Sequence, residues 1–499
     1  MSSSDSLQLL APLALLPDGW AADIRIEVKA GTIVAVEPDR VGGAPGMPAH
    51  TLPGAVVPGV PNLHSHTFQR LMAGRTERPR SSGHPAFPSS FWGWRDTMYR
   101  VASRMTPDAL QATAALAFME MVESGFTSVA EFHYLHHQPD GTPFDDPGEL
   151  CGRIVTAAAE VGIGLTLLPV FYAHSDFGGA PPEPQQAPFV NDLEGFHRVL
   201  ESARGHAQAY ARRHAVAHAP GSPPPRERPE AVLSTIVGVA PHSLRAVSPG
   251  ELTALLEATP AGVPIHIHIA EQGGEVESCL AWSGARPVEW LLEHHPVDQQ
   301  WCLVHATHIS SEEIQVLAAS GAVAGLCPIT EANLGDGIFP AVEFLAAGGR
   351  FGVGSDSNVR ICPAEELRTL EYGQRLRDGL RHRLTAGPGS KAWTPRQDLL
   401  ARALAGGAQA LGQPVGAIAP GRRADLVVLD TEHPTLLAAL DPPEERDGVG
   451  GLLVDSWLFA GGRELVKEVW IEGARRVDGG RHPQRAQFEE RFRKMAVKG

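Results

Sequence analysis

Eight short apolar runs, spaced by stretches of helical periodicity, constrain the fold of this chain most. They lie at residues 55–62, 127–133, 164–171, 234–242, 264–270, 301–306, 322–328 and 351–355. Several are continuous rather than alternating, as expected of parallel strands buried on both faces by crossover helices. Helical patterns lie between many of them, among them 107–124, 249–258 and 311–320. Thr106 is a natural cap for the first, with Pro107 at its first helical position. Strand and helix alternating in this way over residues 58–412 predict an α/β fold, a (β/α)8 TIM barrel. A doubly wound sheet is the alternative arrangement of the same units.

The two ends differ from the middle. Ile24, Ile26 and Val28 alternate, Ala30 and Gly31 mark a turn, and residues 425–430 and 467–471 are β-rich runs bounded by glycine. Residues 1–57 and 413–499 are therefore expected to pair into one small β domain built from both termini. The apolar stretch 9–16 follows Asp5 rather than a basic segment. It is too short for a membrane span of about 20 residues and is expected to be a strand. Segments 78–90, 178–188 and 219–229 are rich in Pro, Gly or Ser and read as loops or lids. Surface insertion accounts equally for the last two.

The 42 Lys and Arg against 57 Asp and Glu give a net charge of −15. That balance argues against nucleic acid or an anionic membrane as partner. It leaves room for a local basic pocket, since 37 of the basic residues are Arg. Five cysteines without C-x-x-C spacing give no disulfide framework and no cysteine-built zinc site. A reducing, cytoplasmic setting is expected.

The first barrel run ends in Asn62, Leu63, His64, Ser65 and His66. Histidines at i and i+2 of a strand share a face, so both rings can reach one metal. His133, His242, His268, His305 and Asp356 lie at or near the ends of other runs. In a barrel such positions converge on one mouth. His64, His66, His268 and Asp356 then supply nitrogen and oxygen donors for one divalent ion, Zn²⁺ or Fe²⁺, with water in the remaining position. Such an ion creates hydroxide near neutral pH. Asp356 can bind it and accept the water proton, His305 can hydrogen-bond the attacking water, and Glu271 can carry a proton to a leaving nitrogen. His266 is expected to be a hydrogen-bonded core residue and His133 a packing or supporting one.

These runs resemble the amidohydrolase superfamily. The resemblance rests on P-G-x-x-N-x-H-S-H from Pro58, H-I-A-E from His268, His305, G-S-D-S from Gly354, and residues 421–430. It implies a deformed (β/α)8 barrel, a small β-sandwich domain and one divalent metal, Zn²⁺ before Fe²⁺. A narrower similarity, to the formimidoylglutamate deiminases of histidine degradation, is carried by residues 62–74, 91–95, 131–134, 240–245 and 370–375. It implies a homodimer that converts N-formimino-L-glutamate to N-formyl-L-glutamate and ammonia, with metal-bound hydroxide attacking the formimino carbon. Gln69, Arg95, Tyr134, His242 and Arg245 fall in those runs and are the implied substrate residues. Two Arg suit a dianion with two carboxylates, while Gln, Tyr and His add directional hydrogen bonds. The alternative is a related deaminase or hydrolase of a purine, pyrimidine or triazine-like ring, which has no need of two guanidinium groups. The aromatic run Phe91–Trp94 is expected in a loop, as a lid or an anchor. His136 and His137 are expected in a polar loop without function, and Arg360, near the mouth, has no assigned role.

Overall fold

The computed structural model describes residues 6–38, 49–77, 91–216, 235–384, 395–440 and 451–496. The expected loops 78–90 and 219–229 lie outside them. Barrel strands one to three are Val60–Ser65, Phe126–His133 and Gly164–Phe171; strand four is the short pair Ile236–Val237 and Ala240–Pro241. Strands five to eight are Ile265–Ile269, Trp301–His305, Val323–Leu326 and Arg350–Val353. They pair in parallel as two half-sheets, the first holding strands one to four and the second strands five to eight. Single parallel bridges join the halves, Val239 to Ile265 on one side and Ser65 to Asp356 on the other. Strand eight beside strand one makes a closed barrel and excludes the doubly wound sheet. The thin seams are what deform it.

Two runs differ from the expectation. Residues 55–62 form two strands, Ala55–Pro58 in the terminal sheet and Val60–Ser65 in the barrel. The chain changes sheets at Gly59, where a Cβ would lie 2.4 Å from Thr127 side-chain atoms. Of the run 234–242, the described residues 235–242 contain only the two short pieces of strand four, with Gly238 between them. A Cβ there would meet the Pro264 carbonyl at 2.7 Å.

The helices follow their caps. Pro107–Ser124 starts at Thr106, whose side chain accepts from Ala109 N at 3.2 Å. Pro249–Glu257 and Ser311–Ser320 begin with reciprocal capping boxes, Ser248 with Glu251 and Ser310 with Glu313. The aromatic run expected in a loop opens a helix instead, Phe91–Ala102. Segment 178–188 includes one short 3-10 turn, Pro184–Gln186.

Both termini build one sheet. Its members are Ser6–Leu16, Gly19–Lys29, Thr32–Pro38, Ala49–Thr51, Ala55–Pro58, Leu426–Leu429, Val466–Ile471 and Ala474–Asp478. The halves meet where Ala55–Pro58 runs antiparallel to Leu426–Leu429. The two layers of the expected sandwich thus come from one hydrogen-bonded sheet folded back on itself. Thr32 bridges Arg423, and a Cβ on Gly31 would touch Glu472 at 3.0 Å. The fold encloses Leu9, Ile26, Ile33, Val56, Leu426 and Trp470. The stretch 9–16 is a strand of this sheet, and no described helix is long and apolar enough to cross a membrane.

Candidate active site

The seam between strands eight and one builds a candidate metal cluster. Asp356 N donates to His64 O at 2.9 Å, and His66 N donates to Asp356 O at 3.0 Å. The aspartate is therefore held directly against the H-x-H pair. Two asparagines lock the seam. Asn62 holds Ser355 by its side chain and backbone at 2.7 and 3.0 Å. Asn358 donates to Ser65 Oγ and to the carbonyls of His66 and Asp356. Close approach needs Gly354, where a Cβ would lie 2.8–2.9 Å from the backbone and Cβ of His64.

His268 completes the set from strand five. Its Nε2 lies 3.0 Å from His64 Nε2, which lies 3.1 Å from His66 Nε2. Asp356 Oδ1 is 3.6 Å from His64 Nε2 and 3.4 Å from His66 Nε2. A tetrahedron with metal–ligand bonds of about 2.0–2.1 Å has edges of about 3.3 Å, which these separations bracket. Burial holds the imidazoles of His64 and His268 well below the usual histidine range, with neighbouring histidines adding to the effect. Burial likewise brings His66 down to about 3, against the hydrogen bond from its Nδ1 to Phe132 O at 2.8 Å. That bond places the His66 proton on Nδ1 and leaves the Nε2 lone pair facing the cluster. Neutral imidazoles with converging lone pairs, beside one carboxylate, are the donor chemistry a divalent cation requires.

The candidate proton-handling groups surround this cluster. His305 Nε2 is 3.8 Å from both Glu271 Oε1 and Asp356 Oδ2. Its Nδ1 meets Glu331 Oε1 at 3.3 Å. Burial opposes a charge on His305, but Glu271, Glu331 and Asp356 together push it up to about 10. Burial raises Asp356 to about 7, with His305 opposing and Glu271 and Glu331 adding. A divalent cation beside it favours the ionised carboxylate. His305 and Asp356 both hold left-handed backbone, at φ 69° and 43°, a conformation that non-glycine residues seldom adopt away from functional sites.

One cavity collects the rest. Gln69, Arg95, Tyr134, His242 and Arg245 line it together with His66, His268, Glu271, His305 and Asp356. Gln69 Nε2 donates to Tyr134 OH at 2.7 Å, and the Tyr134 ring stands edge-on to His66. Arg245 faces Glu275 at 4.0 Å, and Glu275 also accepts the backbone N–H groups of Ala270 and Glu271 at 3.0 and 3.2 Å. Sequence reasoning missed Glu331, Glu275, Tyr99 and Tyr172. Glu331 and Glu275 carry a signal only in hindsight, since each sits in the first turn of a helix that follows a barrel strand.

The remaining residues divide clearly. His266 bonds the Ala410 carbonyl at 2.8 Å within the core, as expected. His133 is buried away from the cavity, beside His136 and Cys151. His136, expected in a polar loop, is buried and bonds Val170 O at 2.9 Å. Half-buried His137 bonds Val190 O at 3.0 Å. Arg360 is exposed and forks onto Glu365, away from the cavity. Trp94 lines the cavity from its helix. All five cysteines are buried and free.

Comparison with known proteins agrees with this architecture. The amidohydrolase family model matches residues 55–475, and the model for the N-terminal domain of formimidoylglutamate deiminase HutF matches residues 9–46. The formimidoylglutamate deiminase of Pseudomonas aeruginosa is 48% identical over 480 residues, 95% of either chain. The crystal structure of an amidohydrolase from Brucella melitensis superposes with a TM-score of 0.84 at 45% identity, covering 98% of this chain and 99% of that one. The adenosine deaminase of Xanthomonas campestris, solved with bound zinc, shares the fold at a TM-score of 0.73 and 21% identity, covering 99% of this chain and 98% of its own. This chain belongs to the amidohydrolase family.

Proposed function

We propose that this chain hydrolyses N-formimino-L-glutamate to N-formyl-L-glutamate and ammonia. The observation that carries the reading is one cavity in an acidic chain that holds two guanidinium groups and is lined by His66, His268 and Asp356, with His64 directly behind them completing a His₃Asp donor cluster. A dianionic amidine has use for both. Its kinship supports the same substrate, since the ring deaminase named above is far less similar than the formimidoylglutamate deiminase.

In this reading His64, His66, His268 and Asp356 hold one divalent ion, zinc before iron(II). When bound, the ion supplies Lewis acidity and a water of lowered pKa. Asp356 takes the proton from the attacking water, and His305 holds that water and steadies the charge that develops. Water adds to the formimino carbon, and the C=N electron pair moves onto nitrogen. Glu271 delivers a proton to that nitrogen, the hydroxyl proton of the tetrahedral adduct follows it, and the C–N bond breaks to release ammonia and leave the formyl carbonyl; the proton held by Asp356 restores Glu271. Arg95 and Arg245 bind the two carboxylates, while Gln69, Tyr134 and His242 orient the amidine. Glu331 fixes the direction of the His305 ring through Nδ1.

The proposal extends to organisation. Residues 58–412 form the catalytic barrel domain, and residues 1–57 and 413–499 form the β domain, a division supported by the change of sheet at Gly59. A cytoplasmic setting is supported by the free buried thiols. The homodimer rests on family resemblance and is checked by sedimentation. The functional test is ammonia release from metal-loaded protein offered formiminoglutamate, guanine, adenosine and cytosine. Turnover confined to a ring substrate overturns the reading.

A further inference from the structure

Gln186 lies in the Pro-dense segment 178–188, whose role the sequence leaves open. Its side chain is fully buried. Glu183 N donates to Gln186 Oε1 at 2.7 Å, which fixes which end of the amide is oxygen. The NH₂ end then points at two phenols, Tyr172 OH at 2.6 Å and Tyr99 OH at 3.3 Å. Both phenol oxygens accept from the same amide nitrogen. Each hydroxyl hydrogen must point elsewhere, and among the described residues neither has a protein acceptor. Both tyrosines line the active-site cavity and lie within the field of Arg95 and Arg245. The Arg95 guanidinium sits 5.6 Å above the Tyr99 ring.

Two hydroxyl donors with fixed direction, beside two fixed positive charges, match the lone pairs of a carboxylate. Their depth says which one. Tyr134 and His242 each lie 5.0 Å, ring to ring, from His66 and His268 respectively. Tyr172 stands a further 4.8 Å beyond His242. The phenols are thus a second tier away from the metal cluster, where the end of the substrate remote from its amidine falls.

We propose that Tyr99 and Tyr172, aimed by Gln186, form a specificity subsite for the distal carboxylate of the substrate. This rests on the formiminoglutamate reading above and names the part of the cavity that selects a dianion over a monoanion. Gln186 is a positioning residue, because it acts through the two phenols.

The test compares Tyr172→Phe, Tyr99→Phe and Gln186→Leu with the unaltered holoenzyme. The substrates are N-formimino-L-glutamate and N-formimino-L-2-aminobutyrate, which lacks the distal carboxylate. Loss of a hydrogen bond to a charged group is expected to raise KM for the dianion at least about 10-fold, with kcat within about twofold. KM for the monoanion should be unchanged in the same variants. An equal loss on both substrates, or no loss on the dianion, overturns the subsite. Gln186→Leu can fail to fold, and the Tyr→Phe variants keep their rings, so they decide the matter alone. Calorimetry with glutarate separates the two readings. Glutarate binding that weakens in Tyr172→Phe upholds the subsite even if formiminoglutamate is not turned over, and unaltered binding overturns it.

Discussion

Arg245→Met is the substitution whose consequence the structure defines most fully. The Arg245 side chain is 19% exposed, and its facing carboxylate is Glu275 at 4.0 Å. Methionine keeps much of the packing volume and removes the charge. Two effects follow, and they appear in different measurements. Loss of a charged hydrogen bond to the substrate costs about 1.5–3 kcal/mol, or roughly a 10- to 150-fold fall in kcat/KM. The second effect is on Glu275, which burial already pushes above the usual carboxylate range while Arg245 pulls it back. Without Arg245 it keeps two backbone donors, from Ala270 and Glu271. The cost is therefore well below the roughly 3–5 kcal/mol of stripping a buried ion pair of one partner. Free and substrate-bound enzyme share this second cost, so it lowers Tm and largely cancels from KM. The assay is steady-state ammonia release with metal content and Tm recorded on the same preparation. The expected result is a raised KM, kcat nearly unchanged, metal retained and a modest drop in Tm. Unchanged kcat/KM with the protein folded and metal-loaded would refute the carboxylate clamp.

Three other substitutions test the cluster and its proton transfers. Asp356→Asn should abolish turnover and weaken metal retention while circular dichroism stays that of the parent; full activity would remove Asp356 from both roles. Glu271→Gln should bind metal normally with kcat reduced about 10²- to 10⁴-fold and KM little moved; a change confined to KM would mark Glu271 as a binding residue only. Gly354→Ala places a Cβ 2.8–2.9 Å from the His64 backbone, which cannot swing aside. It should lower metal stoichiometry along with activity, measured by elemental analysis, and an intact metal content would show that the seam tolerates the strain.

Much of this fold was legible because parallel barrel strands are buried on both faces and read as apolar runs. The convergence of His64, His66, His268 and Asp356 was legible for a related reason, since they occupy strand ends and a barrel brings strand ends together. Legibility failed where tertiary contact overrides the local pattern. Residues 55–62 look like one strand, and what divides them is tertiary pairing, since Ala55–Pro58 pairs with Leu426–Leu429 and Val60–Ser65 with Phe126–His133. The run at Phe91 looks like a loop because Pro, Gly and Ser dominate what precedes it, yet it opens a helix. Glu331 and Glu275 have no motif spacing, and their roles arise from helices that start beside His305 and Arg245. Tyr99, Tyr172 and Gln186 come from separate segments and meet only when the cavity closes.

The central claim is that water replaces the imino nitrogen of the formimino group. Its most direct measurement is product analysis after turnover of N-formimino-L-glutamate in ¹⁸O-labelled water. The account predicts one ammonia and one N-formyl-L-glutamate per turnover, with the label in the formyl oxygen. Glutamate and formamide as products would show that the other C–N bond breaks and would contradict it.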